Sequence, residues 1–374
     1  MSADINGYCD EKFHSLEDAF RANFEEGLEL GASLGVTWQG KMVVDLWGGS
    51  ADPRKARPWQ KDTIVVVSST SKIALTISIL MLIDRGLIEL DAPIARYWPE
   101  FAQGGKAHVT IRDLLTHQTG VPGFVPALPY EAWLDWELLT SNLAAQKHWF
   151  EGRKVVIYHA LTYGHLAGEL VRRVDGRRPA RFVREEIAEK AGADFQIGLS
   201  SQTDLERLAS VQVAAAPPRF PEGSPAEKAW VSIGTGVPDW QQLSADKPGG
   251  NGYTNGRAIA RICAILAMGG KLDGVRYLSK RIVQEAGTEQ IEANDLFMGP
   301  IKYGLGFGLD SHQFPAPSPT TFHWGGYGGS WGLMDPKTGL SLGYAPNNWI
   351  TEFEVQDPRQ KRFSDALADV MRGL

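Results

Sequence analysis

The chain has 374 residues, 43% of them hydrophobic and 22% charged, with a net charge of −6 at neutral pH. That length buries a large core, and the composition is that of an ordinary globular protein, not a disordered or fibrous one. The mild acidity offers no electrostatic footprint for nucleic acid, and the longest apolar run falls short of the ~18 residues that span a membrane. The two cysteines, Cys9 and Cys263, form no metal-ligand or C-x-x-C spacing. The first residues are polar and acidic, without a basic-then-apolar leader, so a cytoplasmic, reduced protein is expected.

Residues 11–28 place Phe13, Leu16, Phe20 and Phe24 at helical spacing on one face. Two strand-like runs follow, Ser33–Trp38 and Met42–Trp47, joined as a hairpin through Gln39-Gly40-Lys41. The turn-rich stretch Gly48–Gln60 leads to Ile64-Val65-Val66-Val67, a β-branched run that predicts a short buried strand. Ser68, Ser69, Thr70 and Ser71 then supply hydroxyls suited to a helix N-terminus. The apolar run Ile73–Ile83, stopped by Gly86, predicts a helix buried on most sides. Leu87–Pro93 connects to a short helix that Thr110 caps and that ends by Leu115, with Gly120 as a stop. Residues 121–150 mix prolines with Phe124, Tyr130, Trp133, Trp136 and Trp149, and read as irregular structure suited to a pocket wall or to core under a long loop.

Val155–Ile157 introduces Tyr158-His159-Ala160, and an amphipathic helix runs from Tyr163 to Val174, with another near 178–190. Segments 217–225 and 234–252, rich in proline and glycine, read as connections. Gly256–Met268 is an apolar helix closed by Gly269-Gly270, and Ser279 caps another through Glu285. The period then changes. Gly304–Leu309, Thr320–Trp324, Trp331–Met334 and Leu340–Tyr344 read as strands, the last two joined by a turn at Asp335–Gly339. Asp357-Pro358 opens a final helix with Phe363, Leu367, Val370 and Met371 on one face. Strands at both ends with helices between imply an α/β (α+β) fold. An antiparallel sheet would be built from both chain ends and flanked by terminal helices, with a mainly helical lobe inserted. The expected division is 1–74 with 231–374 for the sheet domain and 75–230 for the helical domain, with a site at their interface.

Chemistry concentrates at Ser69 and Lys72, three apart and so one helical turn from each other. A serine hydroxyl needs a neighbouring base, and a desolvated lysine serves because burial disfavours its charged form. At a helix N-terminus Ser69 also holds its own N–H where a developing oxyanion would sit. S-x-x-K arises about once by chance in a chain of this size. A second copy, Ser244–Lys247, is followed at once by Pro248, which argues against a helix there. Other patterns compete. Gly328-Gly329-Ser330-Trp331-Gly332 spells G-x-S-x-G, but a hairpin follows where that motif needs a helix, and no histidine comes after Ser330. Lys337-Thr338-Gly339 occupies a Pro-containing turn, with its lysine toward solvent. Tyr253-Thr254-Asn255 matches Y-x-N but lies in a glycine-rich loop beside a helix start. His117 reads as a backbone partner near a helix end, and His165 as packing.

Four stretches together resemble the serine β-lactamase-like esterases, the family around class C β-lactamases and penicillin-binding proteins that includes the family VIII carboxylesterases. They are VVVSSTSK (65–72), LLTHQTG (114–120), YHALTYGHLAGELVRRVDG (158–176) and WGGYGGSWG (324–332), and their order and spacing carry the resemblance. It covers roughly residues 10–350 and implies a β-lactamase/transpeptidase-like fold. It also implies roles. Ser69 is the expected nucleophile, Lys72 the residue that deprotonates or orients it, and Tyr158 a general base that passes the proton to the leaving group. Trp324-Gly325-Gly326 stands where the lactamases carry K-T-G. The N–H groups of Ser69 and Tyr327 would form an oxyanion hole. Trp324, Gly325, Gly326, His159 and Asn251 are the expected substrate-binding residues, and no metal or other cofactor is expected.

Two departures from the family pattern bear on activity. Ala160 stands where the second motif has asparagine, and Trp324 where the third has lysine. The second change removes a cation that would pair with a substrate carboxylate. An uncharged wall suits a neutral ester, so the expected activity is hydrolysis of short-chain carboxylic esters through an acyl-enzyme on Ser69, with a small-molecule ester as the partner. The alternatives are β-lactam or amide hydrolysis, acyl transfer, and a catalytically silent scaffold on the same fold.

Overall fold

A computed structural model of the chain describes residues 4–213, 218–235, 240–350 and 357–373. Pro217 and residues 236–239 of the expected connections lie outside the described residues. The two central strands come from opposite ends of the sequence. Gly31–Trp38 and Leu340–Pro346 are both buried along almost their whole length, as strands covered on two faces must be. They pair antiparallel from Leu340 opposite Trp38 to Pro346 opposite Ala32.

Around this pair lies a nine-stranded antiparallel sheet. Its strands are β1 (Ile5–Cys9), β2 (Gly31–Trp38), β3 (Lys41–Gly49), β4 (Ile291–Asp295), β5 (Gly299–Tyr303), β6 (Gly308–Leu309), β7 (Phe322–Gly325), β8 (Trp331–Asp335) and β9 (Leu340–Pro346). Their spatial order is β1-β3-β2-β9-β8-β7-β6-β5-β4. Helices α1 (His14–Glu25), α2 (Lys72–Asp84), α3 (Tyr163–Asp175), α4 (Gly256–Ala267) and α5 (Pro358–Arg372) complete the frame. The apolar faces of α1 and α5 cover one side of the sheet, where Leu16, Phe20, Phe363 and Leu367 pack over Leu34, Val36 and Leu333. On the other side α4 lies directly against β2, β8 and β9.

That contact is close because glycines face each other. A methyl group on Gly343 would sit 2.2 Å from the Gly256 carbonyl oxygen, and one on Gly35 would sit 2.7 Å from the Arg257 Cα. Ser341 continues the contact with polar atoms. Its hydroxyl reaches the Ala260 carbonyl at 2.8 Å and Thr37 Oγ1 at 2.7 Å, so a buried hydroxyl pair is satisfied. Beyond α4 the helical part begins. Every residue of α2 from Lys72 to Leu82 is buried, against α3 among others. This helix runs unbroken across position 74/75, the expected domain boundary.

Several elements differ from the sequence expectations. β1 and β4 form the two edges of the sheet and are mostly polar and exposed, so they carry little hydrophobic alternation. Gly304–Leu309 contributes only Gly308–Leu309 to the ladder, because Gly304 and Gly306 form a turn against Ala286 and Thr76. The run at 64–67 stays outside the main sheet. Val65–Val66 pairs with Gly252–Thr254, which pairs in turn with Gln196–Ile197. Within 121–150, Trp136–Ala145 is a helix capped by the Asp135 side chain. No helix among the described residues is long and apolar enough to cross a membrane.

The glycine contact gives a first prediction. Gly343→Ala, which overpacks the β9–α4 interface, is expected to cost about 1–3 kcal/mol in urea unfolding. An unchanged midpoint would contradict the close approach.

Candidate active site

Val67 ends its short strand by donating its N–H to the Gly252 carbonyl at 2.9 Å. The chain then turns sharply. Ser68 takes φ +44, in the left-handed region that a non-glycine residue occupies only at a cost. A 3₁₀ turn, Ser68–Ser71, leads into α2. Ser71 holds this turn, donating to the Ser68 carbonyl at 2.5 Å and accepting the Gly252 N–H at 2.9 Å. Ser69 therefore stands on the first turn of a buried helix, where backbone N–H groups have no intrahelical acceptor.

Lys72 lies one turn on and is 1% exposed. Its amine touches three oxygens: Ser69 Oγ at 2.9 Å, the Ala160 carbonyl at 3.0 Å and the Gly249 carbonyl at 2.8 Å. No carboxylate is among these partners, so burial acts unopposed and pushes the Lys72 pKa down to about 7. The protonated amine donates to all three oxygens. The neutral amine keeps a lone pair that can accept the Ser69 hydroxyl proton.

Tyr158 faces the same point, with the Lys72 amine 5.0 Å from its ring centre. Burial raises the pKa of its phenol, while interactions with Ser69 and Trp324 pull the other way. The phenol is thus held neutral. Its backbone is fixed by Asp295, whose Oδ1 accepts the N–H groups of Tyr158 (3.0 Å), Phe297 (2.7 Å) and Met298 (3.1 Å). Asp295 Oδ2 accepts the Tyr303 hydroxyl at 2.9 Å. His117, at φ +59, packs edge-on against the Tyr158 ring, 5.0 Å between centres. Its Nδ1 accepts the His159 N–H at 3.2 Å, so it does partner the backbone, and burial keeps its pKa well below the usual histidine range.

These groups open onto a cavity of ≈ 290 Å³. Ser69, Tyr158, Trp324, Gly325, Gly326 and Tyr327 all line it. Trp230, Phe297, Met298, Ile301 and Phe314 give it apolar walls, His323, Gln360 and the acidic Asp357 also line it, and the lining contains no lysine or arginine among the described residues. Trp324 tilts against Tyr158 with ring centres 5.4 Å apart.

Two expected substrate-binding residues do not line this cavity. The His159 ring is fully buried between Thr119 Oγ1 (2.5 Å) and the Ile157 carbonyl (2.6 Å), and burial lowers its pKa to about 4. Asn251 donates to the Leu243 and Ala245 carbonyls, both at 3.0 Å, and accepts the Tyr253 hydroxyl at 2.7 Å. It shapes the loop whose Gly249 carbonyl meets Lys72. The competing motifs are also placed. Ser330 is buried, donating to the Val67 carbonyl at 2.8 Å and sharing a 2.8 Å hydrogen bond with Thr70. Lys337 is exposed on its turn, and Lys247 lies 5.5 Å over the Trp133 ring. Sequence reasoning missed Asp295 and the two carbonyls on Lys72, for which no local pattern exists. For a metal, Cys9, His14 and Glu17 bring donor atoms within 4.8 Å of one another, on β1 and α1 and outside the cavity lining. Glu17 is already paired there with Arg21 at 2.6 Å.

A serine against a buried lysine amine, with a neutral tyrosine beside them, is the equipment of a serine hydrolase. The chain matches the Beta-lactamase family over residues 20–366, and it belongs to that family. It is 32% identical over 373 residues to the Esterase/beta-lactamase LipL of Mycobacterium tuberculosis, covering 94% of this chain and 85% of that protein. The crystal structure of a family VIII carboxylesterase superposes with a TM-score of 0.91 at 36% identity, covering 98% of this chain and 100% of that one. A penicillin-binding protein homolog from Caulobacter crescentus gives the same TM-score, 0.91, at 35% identity and the same coverage, 98% and 100%. The chain is a serine hydrolase of this family.

The burial of Ser330 separates the two candidate serines experimentally. Ser330→Ala leaves the Val67 carbonyl and the Thr70 hydroxyl short of a partner, with an expected cost of about 1–3 kcal/mol. Labelling by a fluorophosphonate should persist in that variant and vanish in Ser69→Ala, read by intact mass. The reverse pattern would make Ser330 the reactive serine.

Proposed function

We propose that this chain is a carboxylesterase that hydrolyses neutral, short-chain esters through an acyl-enzyme on Ser69. One observation carries the reading. A lysine amine whose pKa burial lowers to about 7 sits 2.9 Å from Ser69 Oγ, beside a cavity that no lysine or arginine among the described residues lines. The esterase names of two similar proteins support it. The site would lie where the sheet part of the chain meets the helical part.

The mechanism follows from the two pKa directions. Neutral Lys72 takes the Ser69 proton as Oγ attacks the ester carbonyl. The N–H groups of Ser69 and Tyr327 hold the resulting oxyanion. As the tetrahedral adduct collapses, the Tyr158 hydroxyl gives its proton to the departing alkoxide and is refilled from Lys72. The alcohol leaves, and Ser69 carries the acyl group. Water then attacks with the proton path reversed, releasing the acid. The sequence expectation made Tyr158 the general base. Burial disfavours both tyrosinate and lysinium, and the Asp295 charge disfavours tyrosinate further, so Lys72 is the better acceptor and Tyr158 the better donor.

Substrate charge follows from the lining. A β-lactam carboxylate would meet Trp324 where a cation would otherwise stand. A charge-assisted hydrogen bond contributes about 1.5–3 kcal/mol, or roughly 10- to 100-fold. The cavity therefore favours neutral esters over cephalosporins.

Two measurements test this. Turnover of p-nitrophenyl butyrate should fall by at least about 10³-fold in Ser69→Ala, and equal rates would sink the nucleophile assignment. Because kcat/KM reports the free enzyme, it should rise about tenfold per pH unit below about 7 and level off above, as Lys72 loses its proton. Lys72→Arg, which cannot be neutralised, should be inactive throughout. A flat profile between about pH 5 and 9 would exclude Lys72 as the base.

A further inference from the structure

Tyr327 lies on the connection between β7 and β8, residues 326–330, and its ring packs against Trp230 (5.6 Å between centres) and Trp349 (5.4 Å). The loop is short and glycine-rich, with Gly328 at φ +97 and Gly329 at φ +102. Its internal ties are the Gly326 N–H to the Ser330 carbonyl and the Gly329 N–H to the Gly326 carbonyl, both at 2.9 Å. Gly328 bridges Ile350, and two carbonyls of the loop are bonded by the first turn of α5, from the far end of the chain. Arg359 Nη2 donates to the Gly328 carbonyl at 3.0 Å, and Gln360 Nε2 donates to the Gly329 carbonyl at 3.0 Å.

Arg359 is itself immobilised. It is 0% exposed, and its guanidinium also bonds the Asn348 carbonyl (2.6 Å) and both oxygens of Asp357 (3.0 and 2.7 Å), with Glu29 at 3.5 Å. Burying an arginine with two carboxylates is costly, and packed apolar side chains fill such space as well or better. The fork geometry of the guanidinium, however, is suited to holding several fixed oxygens at once. The fit leaves no slack. A methyl group on Gly329 would lie 2.2 Å from Arg359 Nη2, and one on Gly328 would strike the Trp349 ring at 2.4 Å.

We propose that Arg359 and Gln360 are positioning residues for catalysis: by clamping the Gly328 and Gly329 carbonyls they aim the Tyr327 N–H at the oxyanion. This rests on the Ser69 acyl-enzyme reading above. Gln360 also lines the cavity, Arg359 does not, and each acts by bonding a carbonyl of the loop. An oxyanion donor counts mainly in the transition state, so loosening it lowers kcat and leaves KM nearly unchanged.

The test uses the full-length enzyme with Arg359→Lys, which keeps the charge but loses the fork, and Gln360→Ala, a milder change at a half-buried position. The readouts are kcat and KM for p-nitrophenyl butyrate and the affinity for an arylboronic acid, which forms a tetrahedral adduct at the serine. The expected result is a kcat lower by about tenfold in Gln360→Ala and on the order of 10²-fold in Arg359→Lys. KM should stay within about twofold, and boronate affinity should fall in step with kcat. A Gln360→Ala enzyme with wild-type kcat and wild-type boronate affinity overturns the proposal. So does a variant that raises KM alone, since that marks loss of ground-state binding. Failure of the underlying reading looks different and overturns both: Ser69→Ala then keeps the wild-type rate, and the boronate does not bind wild-type enzyme.

Discussion

A single buried amine organises this site. Lys72 on α2 is bonded at once to the serine one turn before it, to the carbonyl of Ala160 just past Tyr158, and to the carbonyl of Gly249. Three segments far apart in sequence are thereby drawn to one nitrogen. An ammonium group out of water costs several kcal/mol unless its donors are matched, and here all three donors have acceptors. With no carboxylate to hold the charge, the group stays close to the point where it gives up a proton. The same arrangement that tolerates Lys72 inside the protein suits it to the base role proposed for it.

The rest of the fold supports that point from two directions. The helical part packs α2 against α3 and sets His117 against the Tyr158 ring, while Asp295 at the end of β4 holds the Tyr158 N–H from the sheet side. The sheet part brings β7 and the loop after it across the start of α2, where Ser330 bonds Val67 and Thr70 on either side of the serine. Glycine is required at this crossing, since a methyl group on Gly326 would lie 2.2 Å from the Val67 carbonyl. The sheet joins the two ends of the chain through β2 and β9, which pair from Leu340 opposite Trp38 to Pro346 opposite Ala32. The loop beside Ser69 thus depends on contacts reaching from Glu29 to Arg359.

How much of this was legible in the sequence varies with range. Ser69 and Lys72 were readable because helical geometry relates residues three apart, and the polar-to-apolar switch at Ser71–Ile73 marks the helix start. The hairpin at 33–47 and the strands on either side of Asp335 were readable from alternation and turn chemistry. Tyr158 stood out only through resemblance, since a Y-H-A triplet has no periodic signal. Asp295 was invisible: it meets Tyr158 from 137 residues away and sits in an exposed-looking edge strand. Nothing in the local sequence singles out Arg359, a charged residue in the first turn of the last helix, yet it is fully buried. His159 was expected to touch substrate as the neighbour of Tyr158, and Asn251 as part of a glycine-rich loop bordering the site. Adjacent residues in extended segments point to opposite sides, and both side chains turn inward to brace loops instead.

The most direct test of the account is to titrate the Lys72 amine itself, by following its ¹⁵Nζ chemical shift in labelled protein and assigning it by its loss in Lys72→Arg. The expected midpoint is about 7, where burial places it. A midpoint at the ordinary lysine value of 10.5 would mean that the amine stays protonated at working pH. Lys72 would then serve only to orient Ser69, and the proton would have to be taken by Tyr158.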